Sequence, residues 1–291
     1  PQDGPLFPLV SLWDNVACQH KLLTEHLGVK QLALVVGSSS QTASYTSGSG
    51  STALVFQYTI QAGETDTDGI SITANSLALN SGIIRDPAGN NAILTHSAVA
   101  ANSSYKVDTT APTVNSFSID DSLLLVGETA TVNLAFSEIV SAFSSADDVT
   151  VGSGSLATMT SSDNETWTAT FTPTANTEDS TNTVSLATSY TDLAGNAGPA
   201  GVTSNYAVET KAPTVSSLSI TSAVGAQNNF VNAGDVVSAT VTFSESVIID
   251  NSSGIPQITM TIGSTNRTAT NISGNGSTTI VFNYTIQTGD T

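Results

Sequence analysis

Apolar and polar residues alternate with a period of two along most of this chain. Ala130–Phe136 reads ATVNLAF, Val236–Phe243 reads VVSATVTF, and Leu54–Ile60 reads LVFQYTI. Thr166–Phe171 (TWTATF) and Thr183–Leu186 (TVSL) keep the same beat. A period of two sends successive side chains to opposite faces, so each segment predicts a half-buried β-strand. The β-branched Thr, Val and Ile in them suit a pleated surface. Turn signals separate the strands: Gly48-Ser49-Gly50, Gly152-Ser153-Gly154, Ala194-Gly195-Asn196 and Gly274-Asn275-Gly276. Trp167 reads as a packed strand residue.

The pattern repeats on a larger scale. VDTTAPTVNSFSI at Val107–Ile119 returns as VETKAPTVSSLSI at Val208–Ile220. Phe136-Ser137-Glu138 returns as Phe243-Ser244-Glu245, and the DxAGN motif of Asp86–Asn90 returns at Asp192–Asn196. Gly28–Thr65 aligns without a gap on Gly254–Thr291, with 19 of 38 positions identical. A period near 100 residues is the size of a small domain and far exceeds a solenoid rung. About seven short strands per period predict immunoglobulin-like β-sandwiches in tandem. The expected domains are a partial repeat at 28–107, a complete one at 108–208 and a truncated one at 209–291. The first of these lacks its opening strands, and an open sheet exposes unpaired edges. Pro112 and Pro213 fix φ and bias Ala111 and Ala212 toward extended backbone, so Thr-Ala-Pro-Thr-Val is a short, stiff connector.

Composition narrows the function. The formal charge is −18, from 24 acidic and 6 basic residues. Phosphate backbones would be repelled, which argues against nucleic acid as a partner, and cations become the natural ligands. The single cysteine, Cys18, excludes a disulfide within the chain. No apolar run approaches the length of a membrane span.

The connector DTTAPTV, the strand ending in FSE and the turn DxAGN together resemble the bacterial Ig-like repeats of large surface adhesins, including the extender regions of RTX-type adhesins. The resemblance covers Gly28–Thr291. It implies β-sandwiches that bind calcium near domain boundaries, on a protein displayed at the cell surface or secreted. Its partners would be neighbouring repeats of the same chain and cell-surface or matrix components. The layout also resembles cadherin arrays, where an acidic linker residue meets acidic residues of the flanking domains.

Calcium takes six to eight oxygen ligands. Acidic and amide side chains recur at loop positions in a chain otherwise poor in charge. Asp86, Asn90 and Asp108 with Glu138 are expected to form a site around the first boundary. Asp192, Asn196 and Glu209 with Glu245 are expected to do so around the second. The same Asp before Ala-Gly-Asn also reads as an ordinary Asx-turn residue, bonded to its own backbone. Asp66-Thr67-Asp68-Gly69 resembles half of a calcium loop without the full pattern.

Residues 1–27 match none of the repeats. Ser11–Leu27 (SLWDNVACQHKLLTEHL) predicts an amphipathic helix, with Ser11 and Asp14 as a capping box and Gly28 as the stop. Cys18, His20 and His26 lie on it and are too few for a metal ligand set. Continued through Gln31–Ser40, this stretch is similar to α/β-hydrolase-fold acyltransferases of the homoserine O-acetyltransferase kind. That resemblance implies a nucleophile elbow at Gly37-Ser38-Ser39-Ser40-Gln41, with Ser39 as nucleophile and the last glycine of the motif missing. The competing reading makes Gly37–Ser40 a hairpin turn of the repeat, because Gly263-Ser264-Thr265-Asn266 stands at the aligned place. A junction of two unrelated sequences at Gly28–Gly37 reconciles the two resemblances. Overall the chain reads as a non-enzymatic extender module, with an enzyme remnant as the alternative.

Overall fold

The structure is a computed structural model and describes residues 30–291. The helix expected at Ser11–Leu27, with Cys18, His20 and His26, lies outside the described residues. The rest is almost wholly β, and the one helix among the described residues is the single turn Ser145–Asp148. The chain divides into two compact units. One holds residues up to 124, 128–173 and 180–207, and the other holds 125–127, 174–179 and 208–291.

The first unit opens with a four-stranded antiparallel sheet. Its order is Val55–Gln57, Ser39–Ser47, Gln31–Val36, Leu77–Ala78. Leu32 and Leu34 alternate inward from Gln31–Val36 and pack with Ala43, Phe56 and Ile72. After the connector come the two layers of a sandwich. One sheet runs Gly154–Leu156, Thr166–Pro173, Ala130–Phe136, Val114–Ile119. The other includes Val149–Val151, Val184–Leu186 and Gly201–Val202. Every second residue of Ala130–Phe136 is buried, as its pattern predicts. Phe171 of the first sheet meets the Tyr206 ring edge-on, with centroids 5.2 Å apart. The Tyr206 hydroxyl donates to the Gly152 carbonyl at 2.6 Å, so the buried ring leaves no bare polar atom. A Cβ on Gly154 would fall 2.1 Å from the Phe171 ring, and only glycine allows that approach.

The second unit is a five-stranded antiparallel sheet in the order Val215–Val224, Val236–Val247, Ser277–Thr285, Thr265–Ser273, Gln257–Ile262. Val241, Ala269, Ile280 and Phe282 form its core. Val215–Val224 is exposed along its whole length, with Leu218 and Ile220 at 59% and 70%. Alternation in that strand marks a face that nothing in this unit covers.

The aligned segments fold alike. Gly37-Ser38 turns the chain between Val36 and Ser39, and Gly263-Ser264 does so between Ile262 and Thr265. The two glycines have φ of +58° and +59°. Glycine at the first position of a two-residue hairpin is what the right-handed twist of the strands demands. A Cβ would also lie 2.3 Å from the Thr65 carbonyl oxygen in one case and 1.8 Å from that of Thr291 in the other. Ser39–Ser47 and Thr265–Ser273 then share one sequence of buried, half-buried and exposed positions.

Truncating Phe171 to alanine should cost about 3–5 kcal/mol in denaturant unfolding, because the surrounding rings cannot collapse into the space. The exposed neighbour Thr170→Ala should stay within about 0.5 kcal/mol of the parent.

Candidate metal centre

The site begins with the connector. Asp108 pairs with Thr65 across a two-stranded ladder, Val107–Asp108 against Thr65–Asp66. The Thr109 hydroxyl accepts from the Gly63 amide at 2.8 Å and donates to the Glu64 carbonyl at 3.0 Å. Beyond the buried Pro112, the Thr113 amide donates to the Ser137 hydroxyl at 2.8 Å, and the Ser137 amide returns a bond to the Thr113 carbonyl at 2.9 Å. The serine of FSE thus latches the connector to the end of Ala130–Phe136, and Glu138 follows directly. In the second unit Thr214 and Ser244 make the same pair of bonds, at 3.0 and 2.8 Å.

The DxAGN motif supplies the third part. Thr191–Asp192 pairs with Val140–Ser141, with Val140 opposite Asp192, so the loop after Asp192 lies beside the stretch that carries Glu138. Asp192 is 2% exposed. Its Oδ1 accepts from the amides of Ala194 and Asn196 at 2.8 and 2.9 Å, and its Oδ2 accepts from Asn196 Nδ2 at 2.7 Å. This is an Asx-type turn. The same Nδ2 also lies 3.2 Å from the carbonyls of both Asp108 and Thr110, tying the loop to the connector. Asp86–Asn90 makes the same turn, with Asp86 accepting from the Asn90 amide and from Nδ2 at 2.8 Å each.

Carboxylate oxygens of Asp108, Glu138 and Asp192 lie within 4.8 Å of one another. No ion pair neutralises any of the three among the described residues. Burial, followed by the negative charges of Asp108 and Asp192 and then of Glu165, pushes the Glu138 carboxyl above the usual glutamate range. A carboxyl raised in the folded state stabilises the fold while protonated, and that stabilisation is lost as pH rises through its folded value. At neutral pH the ionised Glu138 carboxyl therefore works against folding. Three carboxylates this close are oxygen donors of the kind a hard divalent cation takes.

This grouping differs from the one expected at two boundaries. Asp192 and Asn196 sit with Asp108 and Glu138. Among the described residues Glu209 and Glu245 join no third carboxylate, and neither do Asp86 and Asn90. Glu209 caps its own connector by accepting from the Lys211 amide at 3.1 Å, and Glu245 is half-buried in its strand. The reason is the period. A complete set takes its acid from the connector leading into a repeat, its glutamate from that repeat's FSE strand and its aspartate from that repeat's DxAGN turn. Glu209 and Glu245 stand at the positions of Asp108 and Glu138, and Asp86 at that of Asp192.

Two other sequence signals resolve as structural. Asp66 is 3% exposed, with Oδ2 accepting from the Gly37 amide at 2.8 Å and Oδ1 from Gly69 at 2.7 Å. Burial alone would raise this carboxyl, yet those donors outweigh it and hold it low, as a fixed anchor for the hairpin. Ser39 begins a strand where a nucleophile elbow requires a helix, and it is exposed. His96, the one histidine that follows Ser39 in the sequence, accepts from the Ser76 amide at 2.9 Å. The buried Asp148, which sequence reasoning missed, takes the Ser144 amide at 2.8 Å and the Ser189 hydroxyl. It has no repeated motif to mark it.

Residues 108–208 match the family described as bacterial Ig-like domain. That span holds the whole carboxylate set and about a third of the chain. A search of curated proteins finds no match. Among solved structures, the crystal structure of the I9–I11 tandem from titin is similar over 94% of this chain and 86% of that one, at 8% identity and a TM-score of 0.29.

In chelator, Glu138→Gln should raise the melting temperature at neutral pH and flatten the stability change just above the ordinary glutamate range, read by thermal melts across pH. Asn196→Ala strips donors from Asp192 and two connector carbonyls and should cost about 1–3 kcal/mol in denaturant unfolding. Asn90→Ala, in the exposed copy of the turn, should cost less.

Proposed function

We propose that this chain is an extender segment of a bacterial adhesin, displayed at the cell surface or secreted, whose joints are stiffened by calcium. The middle repeat is an immunoglobulin-like sandwich and the chain around it is a tandem of such repeats, which supports a structural role. The observation that carries the finer reading is the convergence of Asp108, Glu138 and Asp192 at the connector. An ion there would hold the connector to the Ig-like domain it enters, while Asp108 stays paired to Thr65 of the preceding repeat. The amide oxygen of Asn196 is a natural fourth donor. Repeats set at a fixed angle carry a binding head away from its anchor, or span a matrix, without chemical turnover.

The sparse basic residues fit the same reading. A chain with net charge −18 stays soluble outside the cell and is spared non-specific capture by polyanions. Among the described residues no helix is long and apolar enough to cross a membrane.

Calorimetric titration of the full chain should show calcium uptake, and melting in excess calcium should rise over melting in chelator. The gain amounts to ~2.7 kcal/mol per site at a hundredfold excess over the dissociation constant. The variant Glu138→Gln with Asp192→Asn should lose both responses. Spin labels on cysteines placed at the exposed positions Thr52 and Ser162, in a Cys18→Ser background, should show a distance distribution that narrows on calcium addition. Absence of heat and of any melting shift would remove calcium from the reading. Uptake without narrowing would remove the stiffening role.

A further inference from the structure

One side chain of the first unit makes its bonds in a single proton state. His96 is the one histidine among the described residues, and it is half-buried. Its Nε2 accepts from the Ser76 amide at 2.9 Å, and its Nδ1 lies 2.9 Å from the Ser97 carbonyl oxygen. A backbone amide can only donate and a carbonyl can only accept. Nε2 is therefore bare and Nδ1 carries the hydrogen. Both bonds together demand the neutral ring in that one tautomer.

The backbone on either side is clamped at the same place. The His96 amide donates to Asn75 Oδ1 at 3.0 Å, and the Asn75 amide donates to the His96 carbonyl at 3.2 Å. Ser76 then joins the clamp to the first sheet. Its carbonyl accepts from the Ala33 amide at 3.1 Å, and the next residue, Leu77, pairs with Leu32. From His96 the chain runs back along residues 65–76 to the connector. Ile72 and Val99 exchange bonds at 3.0 and 2.8 Å, Ile70 donates to Tyr105 at 3.1 Å, and Asp108 pairs with Thr65.

We infer that His96 is an acid-operated clamp on this pair of segments, closed by the neutral ring and opened by a proton on Nε2. Imidazole is the side chain that changes charge roughly between pH 5 and 8. Once Nε2 is protonated it faces the Ser76 N–H, and two donors are left with no acceptor between them. The groups that meet His96 are the Asn75 side chain, the Ser76 amide and hydroxyl, and the Ser97 carbonyl. Among the described residues no charged side chain bonds the ring, so nothing there offsets the added charge. The bonds of Ile72 with Val99 involve no titrating group, which confines the opening to the end of the ladder that carries Ser76. The inference does not rest on calcium, and it is tested in chelator.

Hydrogen exchange of the full chain reads the clamp directly. The protection factor of the Ser76 amide should fall at least about tenfold from about pH 7.5 to about pH 5, while the Ile72 and Val99 amides keep theirs. In His96→Gln an amide oxygen that does not titrate takes the place of Nε2, and the fall should disappear. That variant also separates the clamp from the joint carboxylates, which it leaves untouched. Independently of how the variant folds, ring nitrogen shifts of the parent at about pH 8 should show hydrogen on Nδ1 and none on Nε2 of His96. Unchanged Ser76 protection in the parent, an equal fall in His96→Gln, or a ring with its hydrogen on Nε2 would each overturn the inference.

Discussion

The connector between the first repeat and the middle sandwich has no slack. Its near end is held by the Asp108–Thr65 pairing and the Thr109 hydroxyl, and its far end by the reciprocal bonds of Thr113 and Ser137. Buried Pro112 fixes the backbone between them. With both ends tied and its Oδ1 accepting from the Thr110 amide at 2.9 Å, Asp108 is held beside Glu138 and Asp192. The like-charge contact is thus set by the hydrogen bonds of the connector, which hold exposed Asp108 and half-buried Glu138 beside a fully buried Asp192. Burial first, and the charges of Asp108 and Asp192 after it, raise the Glu138 carboxyl there.

The same rule explains why polar side chains in the connector are so fully used. The Thr109 hydroxyl bonds the loop at Gly63 and Glu64. Its counterpart Thr210, 9% exposed, bonds Thr174 and Thr177. A threonine ahead of the proline can bond backward while the residue after the proline bonds forward. The recurrence of Asp/Glu-Thr-Thr/Lys-Ala-Pro-Thr-Val is therefore a recurrence of hydrogen bonds as much as of shape.

Much of the fold was legible because it is periodic. ATVNLAF gives its burial directly, and the hairpin reading of Gly37–Ser40 followed from alignment with Gly263–Asn266. The members of the carboxylate set were legible as well, since each sits on a repeated motif. Their grouping was not. Which end of a sandwich a loop occupies depends on strand pairing, here Val140 opposite Asp192, and no local pattern reports that. The exposed Val215–Val224 shows the complementary limit: alternation marks a face fit for burial, whether or not a second layer is there to cover it. Asp148 was invisible because a lone buried carboxylate satisfied by Ser144 and Ser189 leaves no trace in spacing.

The carboxylate set draws every member from a single period of the sequence: connector, strand end and turn. Unequal recombination that adds or deletes whole periods therefore carries each joint along intact. The carboxylates need no matching across a new junction, and what must still fit there is the seat that the preceding repeat offers Asp108 and Thr109 at residues 63–65.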